Sequence, residues 1–128
     1  MVANTEPPFA PVSDWSGAFA EAAHAIQTAW TDPATLDRIV VMPWATLPGA
    51  ALLAMYTNEL TVHTWDLAHA TGQEPEWSQP VLDTALGAIQ MGLPAENRVA
   101  PIPFADVVPT PEGAPLIDRL VAWNGRMP

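Results

Sequence analysis

The sequence predicts an all-α protein, a partial helix bundle of two long helices and two shorter ones with a short extended arm. Three observations support this fold class. Apolar residues recur every three or four positions in four separate segments. Proline, glycine and small polar residues stand at the ends of those segments, where helices begin and end. Hydrophobic residues make up 49% of the chain, which is enough to build a core.

The first long helix is expected over residues 14–31. Ser13 is predicted as its N-cap, with Asp14 in the first turn, where the helix dipole favours a negative charge. Its apolar positions form one aromatic-rich stripe, which we expect to be buried: Trp15, Phe19, Ala22, Ile26 and Trp30. The dipeptide Asp32–Pro33 ends the helix.

The second long helix is expected over residues 48–71. Pro48 and Gly49 open it, and Gly72 is a suitable residue just beyond its last turn. The segment before it, residues 36–46, contains a short β-branched run that is closed by Pro43. This pattern predicts an extended arm or a single short strand.

The two shorter helices lie in the C-terminal half. One should begin after Ser78 and end before Pro94, with an apolar stripe of Leu82, Ala85, Leu86, Ile89 and Leu93. The other should span about 114–124 and stop at Gly125, with Leu116, Ile117, Leu120 and Trp123 on its apolar side. Residues 94–115, which are rich in proline, are expected to form an irregular connection. The predicted organisation is an extended N-terminal lead (1–12) and a single helical domain (13–128).

Charge and composition exclude several classes of partner. The 128 residues carry a net charge of −10, and their only four basic side chains apart from histidine are arginines. Without a basic patch, nucleic acid and anionic membrane surfaces are poor partners. The chain has no cysteine, which excludes disulfides and thiolate metal sites. Residues 1–12 resemble no secretory signal and no segment is apolar enough to span a bilayer, so a cytoplasmic protein is expected. The bias towards alanine and proline, and towards arginine over lysine, suggests a bacterial genome rich in G and C.

Glu59 and His63 are the candidate metal ligands. Residues four apart on a helix project from the same face about one turn from each other, so this pair can offer two ligands to one divalent metal. Apolar side chains precede the pair, and we expect both residues to point inwards. Burial of an unpaired carboxylate is costly, and a metal would offset that cost. The alternative is an ordinary helix pair of Glu59 and protonated His63, worth about 0.3–0.5 kcal/mol.

Three other residues, Asp66, His69 and His24, are candidates for a role beside this pair. Asp66, three residues after His63, is placed to accept the proton of the second imidazole nitrogen and so orient the ring. The alternative is that Asp66 is a surface carboxylate paired with an arginine. His69 and His24 are predicted to be exposed, with His24 retained as a possible third ligand.

The second long helix resembles the signature helix of a known family. Its string E-x-x-x-H-x-W-D-L-A-x-A-T-G runs from Glu59 to Gly72. It is similar to that of the mycothiol-dependent maleylpyruvate isomerase-like proteins, a branch of the DinB-like metal-binding superfamily. The preceding residues 43–50, the tryptophan-ended first helix and the tail 116–128 fit the same family, so the resemblance covers most of residues 14–128.

This resemblance implies an up-down four-helix bundle with a divalent metal, most often zinc. A histidine of the family's second helix holds the metal together with the glutamate and histidine that match Glu59 and His63. The metal then activates a low-molecular-weight thiol such as mycothiol for isomerisation or S-transfer. The matching part of this sequence starts at the family's third helix, so the histidine of the second helix has no counterpart here.

Two functions from different classes follow. The first is a metal-binding protein related to thiol-dependent isomerases and S-transferases, whether or not it is itself an enzyme. The second is a catalytically silent helical module for dimerisation or ligand binding. In both cases half a bundle would expose apolar stripes, and a homodimer or a partner chain with the missing helices would cover them. In a homodimer, two copies of Glu59 and His63 are hypothesised to converge on one metal.

Overall fold

The computed structural model describes residues 12–43, 45–96, 98 and 104–128, and over these residues the protein is mostly helical. The described part contains five helices: α1 (Trp15–Ala29), α2 (Ala34–Asp37), α3 (Gly49–Thr71), α4 (Gln79–Gly92) and α5 (Leu116–Trp123). It also contains two short strands, β1 (Ile39–Val41) and β2 (Thr46–Pro48). The helical fold class is therefore confirmed, with a small hairpin added. The predicted lead, apart from its last residue, lies outside the described residues.

The core lies where α4 packs between α3 and α5. The stripe predicted for α4 provides four of its buried side chains, and α3 and α5 contribute one each: Val62, Leu82, Ala85, Leu86, Ile89 and Leu120. Half-buried side chains surround this cluster, among them Trp77, Leu93, Leu116, Ile117 and Trp123. The apolar faces predicted for both C-terminal helices are thus confirmed.

Helix α1 buries none of its residues, which corrects the prediction that its stripe is buried within the chain. Trp15 is 74% exposed, Phe19 75% and Ile26 52%. The stripe has the expected spacing, but no other described element covers it. The helix begins one residue later than predicted, because Asp14 rather than Ser13 is its N-cap and accepts a hydrogen bond from Gly17 N at 2.9 Å.

The predicted arm over residues 36–46 is instead a short helix followed by an antiparallel hairpin. Val40 pairs with Leu47, and the two strands are closed by a hydrogen bond from Met42 N to Ala45 O at 2.8 Å. The sequence predicts a single strand because Ile39–Val41 is a continuous β-branched run, whereas β2 has one β-branched residue, Thr46, and ends in proline. Pro48 is both the end of β2 and the N-cap of α3.

Two glycines fix the ends of α3. Gly49 is buried where the chain leaves the hairpin, and a Cβ atom there would collide with the carbonyl oxygen of Thr35. Gly72 ends the helix with φ at 67°, in the left-handed region that favours glycine. The next residue, Gln73, donates its N–H to Ala68 O at 2.9 Å, which completes the cap. The predicted end of α3 is confirmed.

The described residues between α4 and α5, which are 93–96, 98 and 104–115, form no helix or strand, and we call them the irregular segment. A buried arginine holds them to both helices. Arg98 donates hydrogen bonds to four backbone carbonyls, those of Leu93, Pro94, Ala105 and Trp123, at 2.6–3.2 Å. Two of these carbonyls lie at the C-terminal ends of α4 and α5, where the helix dipole favours a cation. The guanidinium also lies 5.7 Å from the Trp123 ring centroid. Among the described helices none is long and apolar enough to cross a membrane.

Candidate metal-binding site

Glu59 and His63 lie on successive turns of α3 at the edge of its packed face. Their side chains approach each other, with His63 Nε2 3.7 Å from Glu59 Oε2. The side chains are 45% and 63% exposed, respectively, so the pair opens towards the surface and does not point into the core. The expectation that both residues point inwards is therefore wrong. The core-facing positions of α3 are taken by other side chains, including Asn58, Thr61 and Val62.

The second nitrogen of the His63 ring contacts Asp66. His63 Nδ1 lies 3.0 Å from Asp66 Oδ2, three residues further along the same helix. An ionised carboxylate can only accept a hydrogen bond, so Nδ1 carries the proton. In the neutral ring, Nε2 is then left with a free lone pair that faces the Glu59 carboxylate. This arrangement places two electron-pair donors 3.7 Å apart.

Asp66 is itself held by Arg126, which follows α5. The guanidinium donates from Nε to Asp66 Oδ1 at 3.1 Å and from Nη2 to Oδ2 at 2.9 Å, so the ion pair is bidentate. These hydrogen bonds lower the pKa of the Asp66 carboxyl below its ordinary value, against the opposing effect of partial burial. The hydrogen bond with His63 lowers the pKa further. The two alternatives for Asp66, contact with His63 and pairing with an arginine, are therefore both present.

A buried pair of amides connects the site to α5. Asn124 Nδ2 donates to Asn58 Oδ1 at 2.9 Å, and Asn58 Nδ2 donates to Asn124 Oδ1 at 3.2 Å. Asn58 is 1% exposed and Asn124 3%. Asn58 Nδ2 also lies 3.4 Å from Glu59 Oε1, so one oxygen of that carboxylate has a neutral donor. The amide pair fixes the relative position of α3 and α5 beneath the candidate ligands.

The Glu59–His63 pair borders a surface cavity of about 240 Å³. Its walls come from α3, from Phe104 in the irregular segment and from the end of α5: Glu59, Val62, His63, Phe104, Asn124 and Arg126. Side chains far apart in sequence thus meet here, and the cavity leaves room beside His63 Nε2. The arrangement could hold a cation between the carboxylate and the imidazole.

Sequence reasoning identified the α3 residues but missed the contributions of Asn58, Asn124 and Arg126. The family resemblance covers the tail, residues 116–128, but assigns no role to these side chains. Arg126 comes directly after the helix stop at Gly125, and it is one of only four arginines in an acidic chain. That position was the available signal, since a lone cation next to a helix end is a candidate partner for a carboxylate.

The other two histidines lie elsewhere. His69 is exposed, as expected, and its ring stacks on Trp65 with centroids 4.8 Å apart. His24 is exposed on α1, also as expected. Over residues 12–43, 45–96, 98 and 104–128, no three histidine or acidic side chains form a group that could hold a metal. The described part of the chain therefore brings together two candidate ligands and an orienting carboxylate, and His24 does not join them.

Comparison with known proteins gives two relatives, both described as uncharacterised proteins, from two strains of Mycobacterium tuberculosis. Each is 32% identical to this chain over 109 residues, which cover 85% of this chain. The chain spans 58% of the length of these curated relatives. No protein-family model matches the sequence, and no solved structure matches it.

Proposed function

We propose that this protein is a metal-binding protein of the DinB-like type, related to thiol-dependent isomerases and S-transferases, with Glu59 and His63 as ligands. The observation that carries the proposal is the orientation of His63. Its Nδ1 is engaged by Asp66, and its Nε2 faces a carboxylate oxygen at 3.7 Å, beyond hydrogen-bond distance. Histidine ligands of metals are commonly oriented in this way by a carboxylate on the other nitrogen.

The donor set fits a divalent metal such as zinc. Two nitrogen or oxygen ligands of a tetrahedral zinc, each about 2.1 Å from the ion, lie about 3.4 Å apart. The distance of 3.7 Å between His63 Nε2 and Glu59 Oε2 is close to this value. Imidazole and carboxylate also suit zinc chemically. Asp66, fixed by Arg126, would keep the His63 ring in the correct orientation, with a proton on Nδ1 and with Nε2 directed to the metal.

A bound zinc ion would supply one chemical effect, which is to lower the pKa of a coordinated thiol so that the thiolate forms near neutral pH. The residues of this chain have supporting tasks. Glu59 and His63 hold the ion, Asp66 and Arg126 orient the imidazole, and the Asn58–Asn124 pair fixes α3 against α5. Phe104 forms part of the cavity wall.

The remaining ligand is proposed to come from a second copy of the chain or from a segment that carries the counterpart of the family's first two helices. Apolar side chains on α3 lie beside the candidate ligands, with Tyr56 47% exposed, Leu60 60% and Leu67 64%. Several exposed apolar side chains on one side of a helix are suited to an association surface. Any molecule that covers Leu60 stands next to Glu59 and His63, so it can complete the metal site.

Metal titration tests the proposed ligands. The wild-type protein should bind zinc, and the His63→Asn and Glu59→Gln variants should each bind it at least tenfold more weakly. His69→Asn is the matched control, because His69 is another exposed histidine of α3 that lies outside the site. Equal loss in His69→Asn and His63→Asn, or unchanged affinity in His63→Asn, would overturn the proposal.

Sedimentation equilibrium tests whether a second copy of the chain covers the exposed apolar side chains of α3. At micromolar concentration the wild type should sediment as a dimer, and Leu60→Asp should sediment as a monomer. Val81→Asp is the control, since Val81 is also exposed (42%) but lies on α4. A monomeric wild type would exclude the homodimer and leave a segment with the counterpart of the family's first two helices as the source of the third ligand.

The second candidate function is a catalytically silent helical module for dimerisation or ligand binding. The exposed apolar stripes of α1 and α3 favour it, because they require a covering partner whether or not a metal is bound. A dimer that binds no zinc, and whose assembly is unchanged in a Glu59→Gln, His63→Asn double variant, would support this function over the first.

A further inference from the structure

A second cavity lies next to the candidate metal site and differs from it in chemistry. It has a volume of about 110 Å³ and lies between α3, α4 and the irregular segment. Six apolar residues form most of its wall: Met55, Ala88, Ile89, Gly92, Leu93 and Phe104. Glu59 and Phe104 border both cavities, so the apolar cavity opens beside the carboxylate of the proposed metal ligand.

Among the described residues that line this cavity, one side chain is available for a polar contact with an occupant. Asn58 also borders the cavity, but its side-chain amide is engaged by Asn124 and by Glu59. An occupant of the cavity therefore meets an apolar wall, with Glu59 as the remaining side-chain polar group among the described lining residues. Burial of an apolar group against such a wall is favourable. A polar group buried there loses its hydration without a compensating hydrogen bond.

We propose that this cavity is the subsite for a compact hydrophobic group of the molecule that reaches the metal site. The inference rests on the proposed function for the position of the reactive end. The substrate class is a small thiol that carries a phenyl-sized or branched aliphatic group next to its sulfur. An apolar cavity of about 150 Å³ accommodates benzene in another protein, so a cavity of about 110 Å³ with an open side suits a group of this size.

Charge also favours a thiol over an amine in the loaded protein. Glu59 carries the negative charge at the junction of the two cavities, whereas the charge of Asp66 is balanced by Arg126. A divalent metal held by Glu59 and neutral His63 leaves a net positive charge at the junction. An anionic thiolate complements that charge, and the neighbouring apolar group then occupies the wall formed by Met55, Ile89 and Phe104.

Two glycines of α4 provide a matched pair of variants. A Cβ atom at Gly92 or at Gly87 would meet no other atom within 4 Å, so a larger side chain has space at both positions. Gly92 lines the apolar cavity, and Gly87 does not. Gly92→Leu should therefore fill the cavity, while Gly87→Leu changes the same helix in the same way and leaves the cavity open. Ala88→Phe is a second filling variant if Gly92→Leu fails to fold.

The first measurement is toluene binding to the metal-free protein, monitored through the NMR signals of the Met55 and Ile89 methyl groups. Toluene should shift these signals in the wild type and in Gly87→Leu, with at least a tenfold weaker effect in Gly92→Leu. Unshifted signals in the wild type, or equal shifts in both variants, would overturn the subsite. This outcome is independent of any metal.

The second measurement compares benzyl mercaptan with 2-mercaptoethanol on the zinc-loaded protein, using the same methyl signals and equilibrium dialysis. Benzyl mercaptan should bind at least tenfold more tightly, and Gly92→Leu should abolish that difference without changing zinc affinity. Equal affinity for the two thiols would overturn the substrate class. A wild type that retains no zinc but binds toluene would instead refute the proposed metal site and leave the apolar subsite intact.

Discussion

The two sides of α3 differ in the chemistry of their side chains and in how completely they are covered. The side facing α4 and α5 is closed, and it buries polar residues such as Asn58 and Thr61 together with Val62. The opposite side is open, and it exposes Tyr56, Leu60 and Leu67. We refer to the first side of α3, together with the parts of α4 and α5 that cover it, as the closed side, and to the second as the open side. The usual placement of polar and apolar residues is partly reversed between them.

The closed side tolerates its polar residues because each has a partner. The Asn58 amide is paired with Asn124, and the Thr61 hydroxyl donates to Thr57 O at 2.6 Å. No buried side-chain polar atom among the described residues lacks a hydrogen bond. The open side has no such arrangement, and its apolar residues gain only if something covers them. The closed side is therefore complete within the described part of the chain, whereas the open side is suited to a partner.

The largest loss of stability is expected from truncation of the closed side. Leu120 is 0% exposed and belongs to the core cluster of α4 and α5. Leu120→Ala removes its packing and leaves a cavity, so the free energy of unfolding should fall by about 2–5 kcal/mol. Urea denaturation followed by circular dichroism measures the change. A loss under about 1 kcal/mol would mean that this side is less tightly packed than the structure indicates.

A smaller but clear loss is expected at Arg98, which holds the irregular segment to the closed side. Arg98→Met keeps an apolar side chain next to Trp123 but removes the donors to four carbonyls. The free energy of unfolding should fall by about 1–3 kcal/mol, because the carbonyls of Pro94, Ala105 and Trp123 lose a charged donor, while Leu93 O keeps the hydrogen bond from Trp123 Nε1.

Arg119→Met is the control for this change, because Arg119 is an exposed arginine of α5. Its effect should stay within about 0.5 kcal/mol, as for other surface substitutions. Equal effects at the two positions in urea denaturation would show that the carbonyl contacts of Arg98 contribute nothing specific.

The closed side was also the more predictable part of the fold. The stripes of α4 and α5 could be recognised because helix periodicity and burial agree there, as at Leu82, Leu86 and Leu120. In α1 the periodicity predicted the helix correctly but not its environment, since Trp15 and Phe19 are exposed. Periodicity identifies an apolar face but not the molecule that covers it.

The candidate site was predictable only within α3. The spacing of Glu59, His63 and Asp66 places them together on any α-helix. The partners from α5 could not be found in this way, because Asn124 and Arg126 approach α3 across 66 and 60 positions of sequence. The hairpin was missed for a related reason, since β2 is a strand through its pairing with β1 and has little intrinsic strand preference.

The ion pair of Asp66 and Arg126, which connects the closed side to the candidate site, should have a modest, pH-dependent effect. The folded protein lowers the pKa of Asp66, chiefly through the hydrogen bonds from Arg126. A carboxyl with a lowered folded pKa stabilises the fold above its unfolded pKa, which is about 3.9, and loses this contribution as the pH falls through the folded pKa. Asp66 is 34% exposed, so the contribution near pH 7 should be about 0.5–1 kcal/mol.

Urea denaturation of the wild type and of Arg126→Gln between pH 7 and pH 2 measures this contribution. The two proteins should differ in stability near neutral pH and converge as the pH falls below about 4. The Asp66→Asn variant should show the same convergence. A stability difference that is constant over the whole pH range would mean that Arg126 acts through packing and not through the charge of Asp66.

The smallest effect on the isolated chain is expected on α1, and this is the direct counterpart of Leu120→Ala. Phe19 is 75% exposed, so Phe19→Ala removes no packing within the chain. At nanomolar concentration its free energy of unfolding should stay within about 0.5 kcal/mol of the wild type. If a second copy covers this face, the same substitution should become more destabilising as protein concentration rises, because association stabilises only the folded state. Thermal unfolding at two concentrations a hundredfold apart separates the cases. A concentration-independent loss of several kcal/mol would show that α1 packs against its own chain, which would remove the difference between the covered and uncovered parts of the molecule.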